Sequence, residues 1–496
     1  MNRTIPTFQV PKPTHQNIIV DGVQRYPPIG LNVLVVGAGP GGYLTALECW
    51  RKGIDVKILE KESGNSSIGD GAILGPTGLA TLHNYPTMLK SYDSVSDDIV
   101  ASFRRFEDGK LVAPPEEFEW NNPEHPEHAA WPLRIRSMVD RAALNLMFYD
   151  QVKRLGIPIT FGVKIVDFED GGMTSTAVAA DGTRYTADIV VAADGLGSRS
   201  FAAVLGHPMR ATSTGYAICR VRYQLGDLSM APHLRKVVEE NERPDLRMYS
   251  GKDFHALAQI TKTHVLFALT SPDDGTAKES WSTGLTSDEV LALIGDQNNW
   301  DPVIIDVIRC IPSDKIVRWQ ICWRDPQPKW TSTNGRVVQV GDSAHAFIPS
   351  SFSGATCALE DAQSLAECLR LAGKENANLG TKIHELLRYQ RVDILQRMGF
   401  SNRREAHNEE GMMGTIKGDK GPLWLGKWVW THKPEQYVKE KFVQARAHIE
   451  TGESFAHSNI PPGFKWEPWS MEEETKKEKM GIVSQDLKTN GDWSIV

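Results

Sequence analysis

The sequence of 496 residues has few cysteines and no long apolar run. Its six cysteines are scattered and form no CxxC pair, which argues against a zinc ribbon or a disulfide framework and favours a reducing compartment. No stretch reaches the ~18 apolar residues that a membrane helix needs, and the N-terminal residues lack the apolar core of a secretory signal. We therefore expect a cytoplasmic protein and no membrane association.

The sequence also lacks a strong excess of either charge. Its 55 basic and 62 acidic residues give a formal net charge of −7. A general nucleic-acid binder normally carries a basic surface, so we expect no nucleic-acid partner. A hydrophobic content of 41% and a charged content of 24% are ordinary for globular proteins and exclude wholesale disorder. The length is enough for about three domains, and the oligomeric state stays open.

A strand–turn–helix–strand unit is the first ordered pattern. The apolar run at 31–36 predicts a strand, residues 43–52 have apolar side chains at helical spacing, and 56–59 is a second short apolar run. Such a unit implies a parallel sheet. Further strands are predicted at 159–163, 174–179, 189–193 and 335–340, alternating strands between 216 and 270, and helices at 141–155, 287–311, 358–371 and 381–404.

The turn inside this unit is rich in glycine. Gly37 lets the chain turn tightly after the strand, Gly39 lets backbone N–H groups approach a pyrophosphate, and Gly42 lets the helix pack on the sheet. The start of the helix then offers the positive end of its dipole to the phosphates. Glu60 ends the second strand, where an adenosine ribose would present its hydroxyl groups. The turn predicts a dinucleotide site but cannot by itself distinguish NAD from FAD.

Two later segments place an aspartate directly after a predicted strand. Asp194, in an Asp-Gly pair, follows the strand at 189–193, and Asp342, in a Gly-Asp pair, follows the strand at 335–340. Ligands of open α/β sheets bind at such strand ends, although a single aspartate there is more often a helix cap. The second segment continues through a loop that contains Gly354 into a helix, whose start can face an electron-rich ring edge.

These three motifs, together with Arg141-x-x-Leu144, resemble those of the p-hydroxybenzoate-hydroxylase-like FAD-dependent monooxygenases. The salicylate-hydroxylase-like members common in fungal metabolism are the most similar in pattern, over roughly residues 30 to 400. The resemblance implies an α/β fold with a discontinuous, Rossmann-like FAD-binding domain, an inserted mixed or antiparallel sheet for the substrate, and a helical C-terminal extension. The boundaries we expect are 1–29 for an N-terminal arm, 30–205 and 325–400 for the FAD-binding domain with 85–130 contributing to the substrate side, 206–324 for the substrate sheet and 401–496 for the extension.

The resemblance also implies a role for each motif residue. FAD would be the bound cofactor and NAD(P)H its transient reductant. The implied contacts are Gly37, Gly39 and Gly42 with the pyrophosphate, Glu60 with the adenosine ribose, Gly71 in a loop near the flavin, Arg141 near the phosphates, Asp194 with FAD and the incoming NAD(P)H, Asp342 with the ribityl chain, and the amides of Gly354 and Ala355 with negative charge at the flavin N1–O2 edge.

Arg220 is the candidate catalytic residue. It lies where similar proteins carry an active-site arginine on the first strand of the substrate layer. We hypothesise that Arg220 pairs with a phenolate or enolate and lowers the pKa of the substrate, as a neighbouring cation lowers that of a carboxylate by about 1–3 units. The alternative is a structural ion pair.

The chain departs from the family pattern at two aromatic positions. Phe201 stands where the family usually has an arginine after the Asp-Gly pair, and Phe352 stands in a loop that usually reads Gly-x-Gly. The Phe352 ring would either shape a pocket or limit the flavin movement that admits NAD(P)H. We expect His345, next to the Gly-Asp pair, to pack or to cap rather than to catalyse.

The expected activity is NAD(P)H- and O2-dependent hydroxylation of an aromatic or polyketide-like small molecule, in secondary metabolism or aromatic catabolism. The alternatives are a flavoenzyme of the same fold that performs epoxidation, Baeyer–Villiger oxidation or dehydrogenation, and a non-redox protein that retains the fold. We expect no metal, because the two histidines at 125 and 128 are typical of a solvated turn. The tryptophans near the C-terminus, Trp424 among them, are expected to pack on the body before a solvated tail.

Overall fold

The computed structural model describes residues 16–65, 69–124, 127–251, 253–277, 284–312, 315–406, 425–480 and 487–494. Within these ranges the strands are β1 (Ile18–Val20), β2 (Val23–Arg25), β3 (Asn32–Val36), β4 (Asp55–Leu59), β5 (Gly71–Ile73), β6 (Ser96–Asp97), β7 (Val100–Arg104), β8 (Met138–Asp140), β9 (Ile159–Thr160), β10 (Ile165–Asp170), β11 (Ser175–Ala179), β12 (Arg184–Ala187), β13 (Ile189–Ala192), β14 (Thr212–Gln224), β15 (Asp245–Gly251), β16 (Phe254–Ile260), β17 (His264–Pro272), β18 (Gly284–Leu285), β19 (Ile316–Trp323) and β20 (Val337–Gln339). The α-helices are α1 (Pro40–Arg51), α2 (Pro76–Leu79), α3 (Pro86–Val95), α4 (Arg141–Arg154), α5 (Phe201–Leu205), α6 (Pro232–Glu240), α7 (Ser287–Ile294), α8 (Pro302–Arg309), α9 (Gly354–Ala372), α10 (Ala377–Ala406), α11 (Lys427–Trp430), α12 (Pro434–Thr451) and α13 (Met471–Lys479).

A five-stranded parallel sheet forms the centre of the cofactor side. Its strand order is β20-β13-β3-β4-β9, and each neighbouring pair is parallel. Helices α1 and α9 pack together beside one face, and the antiparallel sheet β10-β11-β12 covers the other. Because both faces are covered, the central strands β3 and β13 consist almost entirely of apolar residues, as is typical of parallel sheets. The parallel sheet predicted from the βαβ pattern is confirmed.

A seven-stranded mixed sheet forms the second body of strands. Its order is β18-β19-β14-β17-β16-β15-β7, in which β15 and β7 are parallel and the other neighbours antiparallel. Helices α6, α7 and α8 cover one face through a shared apolar cluster. The predicted class, an α/β fold with an inserted mixed sheet and C-terminal helices, is confirmed. A small antiparallel sheet, β5-β8-β6, lies against the inner face of the mixed sheet, where Gly71 contacts Leu266.

Several local elements differ from the prediction. The interval 287–311 contains two helices because Gly295, with φ +74°, ends α7 and the Asp301 carboxylate caps the start of α8. Part of the predicted N-terminal arm forms the hairpin β1–β2. Its Val23 side chain is fully buried, and Arg25 pairs with Asp55 at 2.8 Å.

The C-terminal tryptophans pack on the body, as predicted. Trp428, Trp430 and Trp469 are buried, and Trp466 is half-buried. Trp424 lies outside the described residues. None of the helices in the described parts of the chain combines the length and the apolar composition that crossing a bilayer requires.

The predicted solvated tail is exposed or half-buried over most of its described residues, but it is helical and one of its side chains is buried. Residues 471–479 form α13, whose first turn carries three glutamates and whose last turn carries lysines, an order that suits the helix dipole. Glu474 is buried and pairs with Arg397 of α10 at 3.1 Å. Beyond it, Trp493 is buried and contacts Trp428 edge-on, with ring centroids 5.2 Å apart. The end of the chain therefore returns to the body of the protein.

A buried carboxylate in α10 holds the C-terminal segment. The Oδ2 atom of Asp393 accepts a hydrogen bond from Trp466 Nε1 at 2.5 Å, and its Oδ1 atom accepts one from Trp469 Nε1 at 2.8 Å. Burial raises the pKa of Asp393 from 3.8 to about 6, against the opposing effect of the two indole donors. Its contribution to stability is therefore complete below pH ~4 and is lost as the pH rises through about 6.

Asp393→Asn should remove a pH dependence of stability between pH 7 and pH 5. Over this range the protonation of Asp393 adds about 1 kcal/mol to the free energy of unfolding of the natural protein. Urea unfolding of both proteins at the two pH values measures the difference, and Glu472→Gln, at an exposed position of α13, is the control. If Asp393→Asn followed the same pH dependence as the natural protein, Asp393 would not titrate as described.

Candidate active site

Four loops meet at one edge of the parallel sheet. Strands β20, β13, β3 and β4 are neighbours in the sheet and run in the same direction. Because the carboxyl ends of parallel strands lie at one edge, the residues that follow them come together. These residues are Asp342, Asp194, Gly37 and Glu60. The structure thus brings together motifs that are widely separated in the sequence.

The glycine-rich turn needs glycine at two positions. At Gly37, where φ is +110°, a Cβ atom would lie 2.2 Å from the carbonyl oxygen of Ala193. At Gly42 a Cβ atom would lie 2.1 Å from the carbonyl oxygen of Gly37. At Gly39 a Cβ atom would meet nothing within 4 Å. The space in front of α1 is therefore open, and backbone N–H groups and the positive end of the helix dipole face a site that suits a phosphate group.

Two polar side chains fix the peptide of Ala38 inside this turn. Glu60 Oε2 accepts a hydrogen bond from the Ala38 N–H group at 2.7 Å, and Asn145 Nδ2 donates one to the Ala38 carbonyl at 3.3 Å. Asn145 is buried, and its Oδ1 atom has no hydrogen-bond partner within the parts of the chain described above. Asn145 is not among the residues predicted from the sequence. The feature of the sequence that could have pointed to it is an amide side chain between apolar residues of the helix predicted at 141–155.

The Asp-Gly and Gly-Asp segments are joined by the hydroxyl group of Ser343. It donates to Asp194 Oδ1 at 3.1 Å and accepts a hydrogen bond from the Gly195 N–H group at 2.8 Å. Asp194 also accepts a hydrogen bond from the Arg199 N–H group at 3.1 Å, and burial raises the pKa of its carboxyl. Ser343 was missed in the sequence although it follows Asp342 directly. A polar residue next to a strand-end aspartate is the signal that could have found it.

Asp342 presents an exposed side chain at the rim of the site. Its carbonyl oxygen accepts a hydrogen bond from Arg324, which follows β19. The guanidinium carbon of Arg324 lies 4.7 Å from the ring centroid of Phe201. A guanidinium group therefore does lie beside the position where the family pattern has an arginine, but it comes from the mixed sheet.

The start of α9 completes the same edge. Gly354 is the first residue of the helix and packs closely on Phe347, since a Cβ atom at Gly354 would lie 3.1 Å from that of Phe347. Ala355 follows and is half-buried. Phe352 precedes the helix in a left-handed conformation with φ +52°. Together with Trp120 and Trp430, Phe352 lines a small cavity.

A buried charge network lies below the Gly-Asp segment. Asp361 Oδ2 accepts a hydrogen bond from the Gly341 N–H group at 3.0 Å and lies 2.5 Å from His345 Nε2. Its Oδ1 atom accepts a hydrogen bond from Arg388 Nε at 2.9 Å. Burial would raise the pKa of Asp361, but the charges of His345 and Arg388 hold it well below its ordinary value. His345 thus packs inside the network, in agreement with the prediction.

Arg220 lies on the inner face of the mixed sheet beside Asp70. Its Nε atom is 3.1 Å from Asp70 Oδ2, and Arg141 Nη1 is 3.9 Å from Asp70 Oδ1. Burial lowers the pKa of Arg220, while the charge of Asp70 opposes this shift. The neighbouring Gly71 has no room for a side chain, because a Cβ atom would lie 2.3 Å from Leu266 Cδ1. The loop around Asp70 is therefore held tightly between the small sheet and the mixed sheet.

No group of three or more potential metal-ligating side chains occurs in the ranges that the structure describes. His128, from the predicted turn, is buried, and its Nδ1 atom accepts a hydrogen bond from the Ala130 N–H group at 3.2 Å. His125 lies outside the described residues.

Comparison with known proteins identifies the family. A family model described as an FAD binding domain matches residues 30–380. The FAD-dependent monooxygenase fsr3 of Gibberella fujikuroi is 36% identical over 486 residues, which cover 95% of this chain and 91% of that protein. The FAD-dependent monooxygenase mdpD of Emericella nidulans is 36% identical over 513 residues, with coverages of 99% and 94%. The chain belongs to the FAD-dependent monooxygenases.

Solved structures of this fold agree with the assignment. CtdE in complex with FAD and substrate 4 is 26% identical with a TM-score of 0.75, over 84% of this chain and 99% of that one. A salicylate hydroxylase substrate complex is 20% identical with a TM-score of 0.61, over 86% and 99%, and shares the fold. The resemblance seen in the sequence is confirmed, and this monooxygenase is an FAD-binding oxidoreductase. The alternative of a non-redox protein that retains the fold is not supported.

The residues of this monooxygenase fit FAD. The open space at Gly39 faces the start of α1, as a pyrophosphate requires, and Glu60 lies at the end of the next strand, as a ribose requires. The exposed Asp342 carboxylate and the start of α9 follow along the same sheet edge. The unpartnered oxygen of the buried Asn145 lies in the same region.

Proposed function

We propose that this monooxygenase uses NAD(P)H and O2 to hydroxylate an aromatic or polyketide-like small molecule, in secondary metabolism or aromatic catabolism. The observation that carries the proposal is the position of Arg220. It lies on the inner face of the mixed sheet and is paired with Asp70, next to the loop that leads into the cofactor side. A fixed cation between a cofactor site and an apolar sheet face suits a substrate that develops negative charge.

The proposed contacts with FAD follow the strand ends. When bound, FAD supplies the redox chemistry, since it takes electrons from the nicotinamide and passes them to dioxygen. The chain supplies binding and orientation. The residues proposed to hold the cofactor are Gly37, Gly39, Gly42, Glu60, Gly71, Arg141, Asp194, Asp342, Gly354 and Ala355.

Arg220 is proposed to act on the substrate oxygen. A guanidinium group beside a phenol or enol favours the deprotonated form and so lowers the pKa of the hydroxyl group. The negative charge then increases electron density at the neighbouring ring carbon, which is the atom to be oxygenated. Asp70 is the present partner of Arg220, and a substrate anion would share the guanidinium with it.

Phe352 motivates an alternative chemistry on the same scaffold. Phe352 has a left-handed conformation and lies two residues before the first residue of α9. It is a bulky residue at the edge proposed for the flavin, where the family pattern has a glycine-rich loop. If that residue restricts the access of an aromatic ring, the enzyme would instead epoxidise an olefin, insert oxygen beside a ketone or dehydrogenate its substrate.

A substrate screen with isotope labelling tests the proposal. NADH and NADPH oxidation, oxygen uptake and peroxide release are measured with phenolic, olefinic and ketone compounds, and products are analysed after reaction under ¹⁸O2. The proposal predicts that a phenolic compound stimulates NAD(P)H oxidation and gains one labelled oxygen atom on a ring carbon. Label in an epoxide or ester product, or a dehydrogenated product without label, would favour the alternative.

A further inference from the structure

A chain of buried polar side chains leads from the central sheet to Asp194. The amide of Gln339, the last residue of β20, donates from Nε2 to Ser200 Oγ at 2.8 Å. Ser200 Oγ lies 2.7 Å from Ser198 Oγ, and the hydroxyl group of Ser198 hydrogen-bonds to the carboxylate of Asp194. Ser198, Ser200 and Gln339 are all buried. The chain therefore ends on one of the carboxylates proposed to contact FAD.

Gln327 fixes the direction of these hydrogen bonds. Its Nε2 atom donates to the carbonyl oxygen of Ala344 at 2.5 Å and to Gln339 Oε1 at 3.0 Å. Because a carbonyl oxygen can only accept, the Gln327 amide has one orientation, and the Gln339 amide turns its Nε2 atom toward Ser200. Each hydroxyl group then donates to the next, and the chain ends on the Asp194 carboxylate, which only accepts. Hydrogen bonds aligned in this way polarise and strengthen one another.

Ser343 reaches the same carboxylate from the other loop. It is fully buried, and its hydroxyl group donates to Asp194 Oδ1 at 3.1 Å and accepts a hydrogen bond from the Gly195 N–H group at 2.8 Å. The Arg199 N–H group donates to Asp194 Oδ2 at 3.1 Å. Both oxygens of the carboxylate are thus held, by donors from two loops that are far apart in the sequence, while the Asp194 side chain itself is only half-buried.

We infer that Ser343 is a positioning residue for the cofactor, whose hydroxyl group fixes the Asp194 carboxylate and the Gly195 peptide in the orientation that meets FAD. The inference rests on the proposed function, because it takes Asp194 to be one of the FAD contacts. A carboxylate that is already held by donors from two loops loses little conformational freedom when a ligand binds, so less of the binding free energy is spent on ordering it. Without the hydroxyl group, the Gly195 N–H group would also lose its acceptor.

Ser343→Ala tests this role, and Ser332 supplies the matched control. Ser332 is also buried, accepts a hydrogen bond from the Val337 N–H group at 3.0 Å and hydrogen-bonds through its hydroxyl group to the carboxylate of Asp170. It precedes β20, whereas Ser343 follows that strand. The two substitutions therefore remove the same two kinds of hydrogen bond at opposite ends of one strand.

We expect Ser343→Ala to weaken FAD binding about tenfold and Ser332→Ala to weaken it less than about twofold. Fluorescence titration of the deflavinated proteins with FAD measures both affinities. The melting temperatures of the two deflavinated variants should fall by similar amounts, because each variant loses comparable buried hydrogen bonds. A difference in FAD affinity at equal stability then reports positioning of the cofactor contact.

A double variant shows whether Ser343 acts through Asp194. Asp194→Ala alone should weaken FAD binding at least about tenfold. When Ser343→Ala is added to Asp194→Ala, the affinity should fall less than about threefold further, since the carboxylate that Ser343 positions is already absent.

The outcomes that would overturn the inference are distinct. Natural FAD affinity of the Asp194→Ala protein would overturn it together with the proposed contact between Asp194 and FAD. Weakened binding by Asp194→Ala but natural affinity of Ser343→Ala would overturn the inference alone. So would a tenfold loss that Ser332→Ala matches, or one that persists in full in the Asp194→Ala protein, because the loss would then not depend on Asp194.

Discussion

Replacing Gly39 with valine is expected to lower the affinity for FAD by about 100-fold or more while the protein still folds. The position has an extended backbone with φ −79° and ψ 175°, which valine adopts readily, and a Cβ atom there meets nothing within 4 Å. The branched side chain would instead occupy the space in front of α1 and keep the pyrophosphate away from the backbone N–H groups. Overpacking and the loss of charge-assisted hydrogen bonds together make the free energy of FAD binding less favourable by about 3 kcal/mol or more, which corresponds to the expected ~100-fold loss of affinity.

The comparison that isolates this effect uses a second glycine. Gly226, in an exposed loop, also has open space around its Cβ position and lies outside the left-handed region. Gly226→Val should keep the natural FAD affinity, as measured by fluorescence titration of the deflavinated protein. Equal FAD affinities of the Gly39→Val and Gly226→Val proteins would show that the turn does not hold the pyrophosphate.

Replacing Arg220 with methionine is expected to lower kcat/KM for hydroxylation by about 100-fold with FAD still bound. The substitution removes the fixed positive charge beside the substrate oxygen. The loss of one such electrostatic contact typically lowers kcat by about two to three orders of magnitude. The pH profile supplies a second measurement. Without the cation, the apparent pKa for ionisation of the bound phenol should rise, so activity should recover partly at alkaline pH.

Arg222 provides the matched control for this variant. It lies two residues further along β14 and pairs with Asp140 at 2.9 Å, so it has the same kind of ion pair on the same face of the strand. Arg222→Met should lower kcat/KM less than about fivefold, since its role is structural. Similar losses in both variants, or a normal rate for Arg220→Met, would favour the alternative that Arg220 forms only a structural ion pair.

The strands that carry the cofactor loops could be predicted because their pattern is local. The apolar runs at 31–36, 56–59 and 189–193 appear as β3, β4 and β13, with ends that differ by one residue. Each run is followed at once by a glycine or an acidic residue, so the strand end and the candidate ligand are read from the same few positions. Their meeting at one edge follows from the rule for parallel strands.

The partners of the functional side chains could not be predicted in the same way. Asp70 reaches Arg220 because the small sheet packs on the inner face of the mixed sheet, and no local pattern contains that packing. Arg324 contacts Phe201 for a similar reason, since β19 ends beside the Gly-Asp segment. Such contacts depend on the relative position of sheets that are formed from distant parts of the sequence. The domain boundaries at 206, 325 and 401 stay predictions.

The central claim is that loops from four strand ends hold one dinucleotide. The flavin content of the purified protein tests this claim most directly. Heat release should yield one FAD per chain. The deflavinated protein should rebind FAD at least ~100-fold more tightly than FMN, since only the dinucleotide reaches both the turn at Gly39 and the carboxylate of Glu60. A colourless protein that takes up no added FAD, or equal affinities for FAD and FMN, would contradict the account.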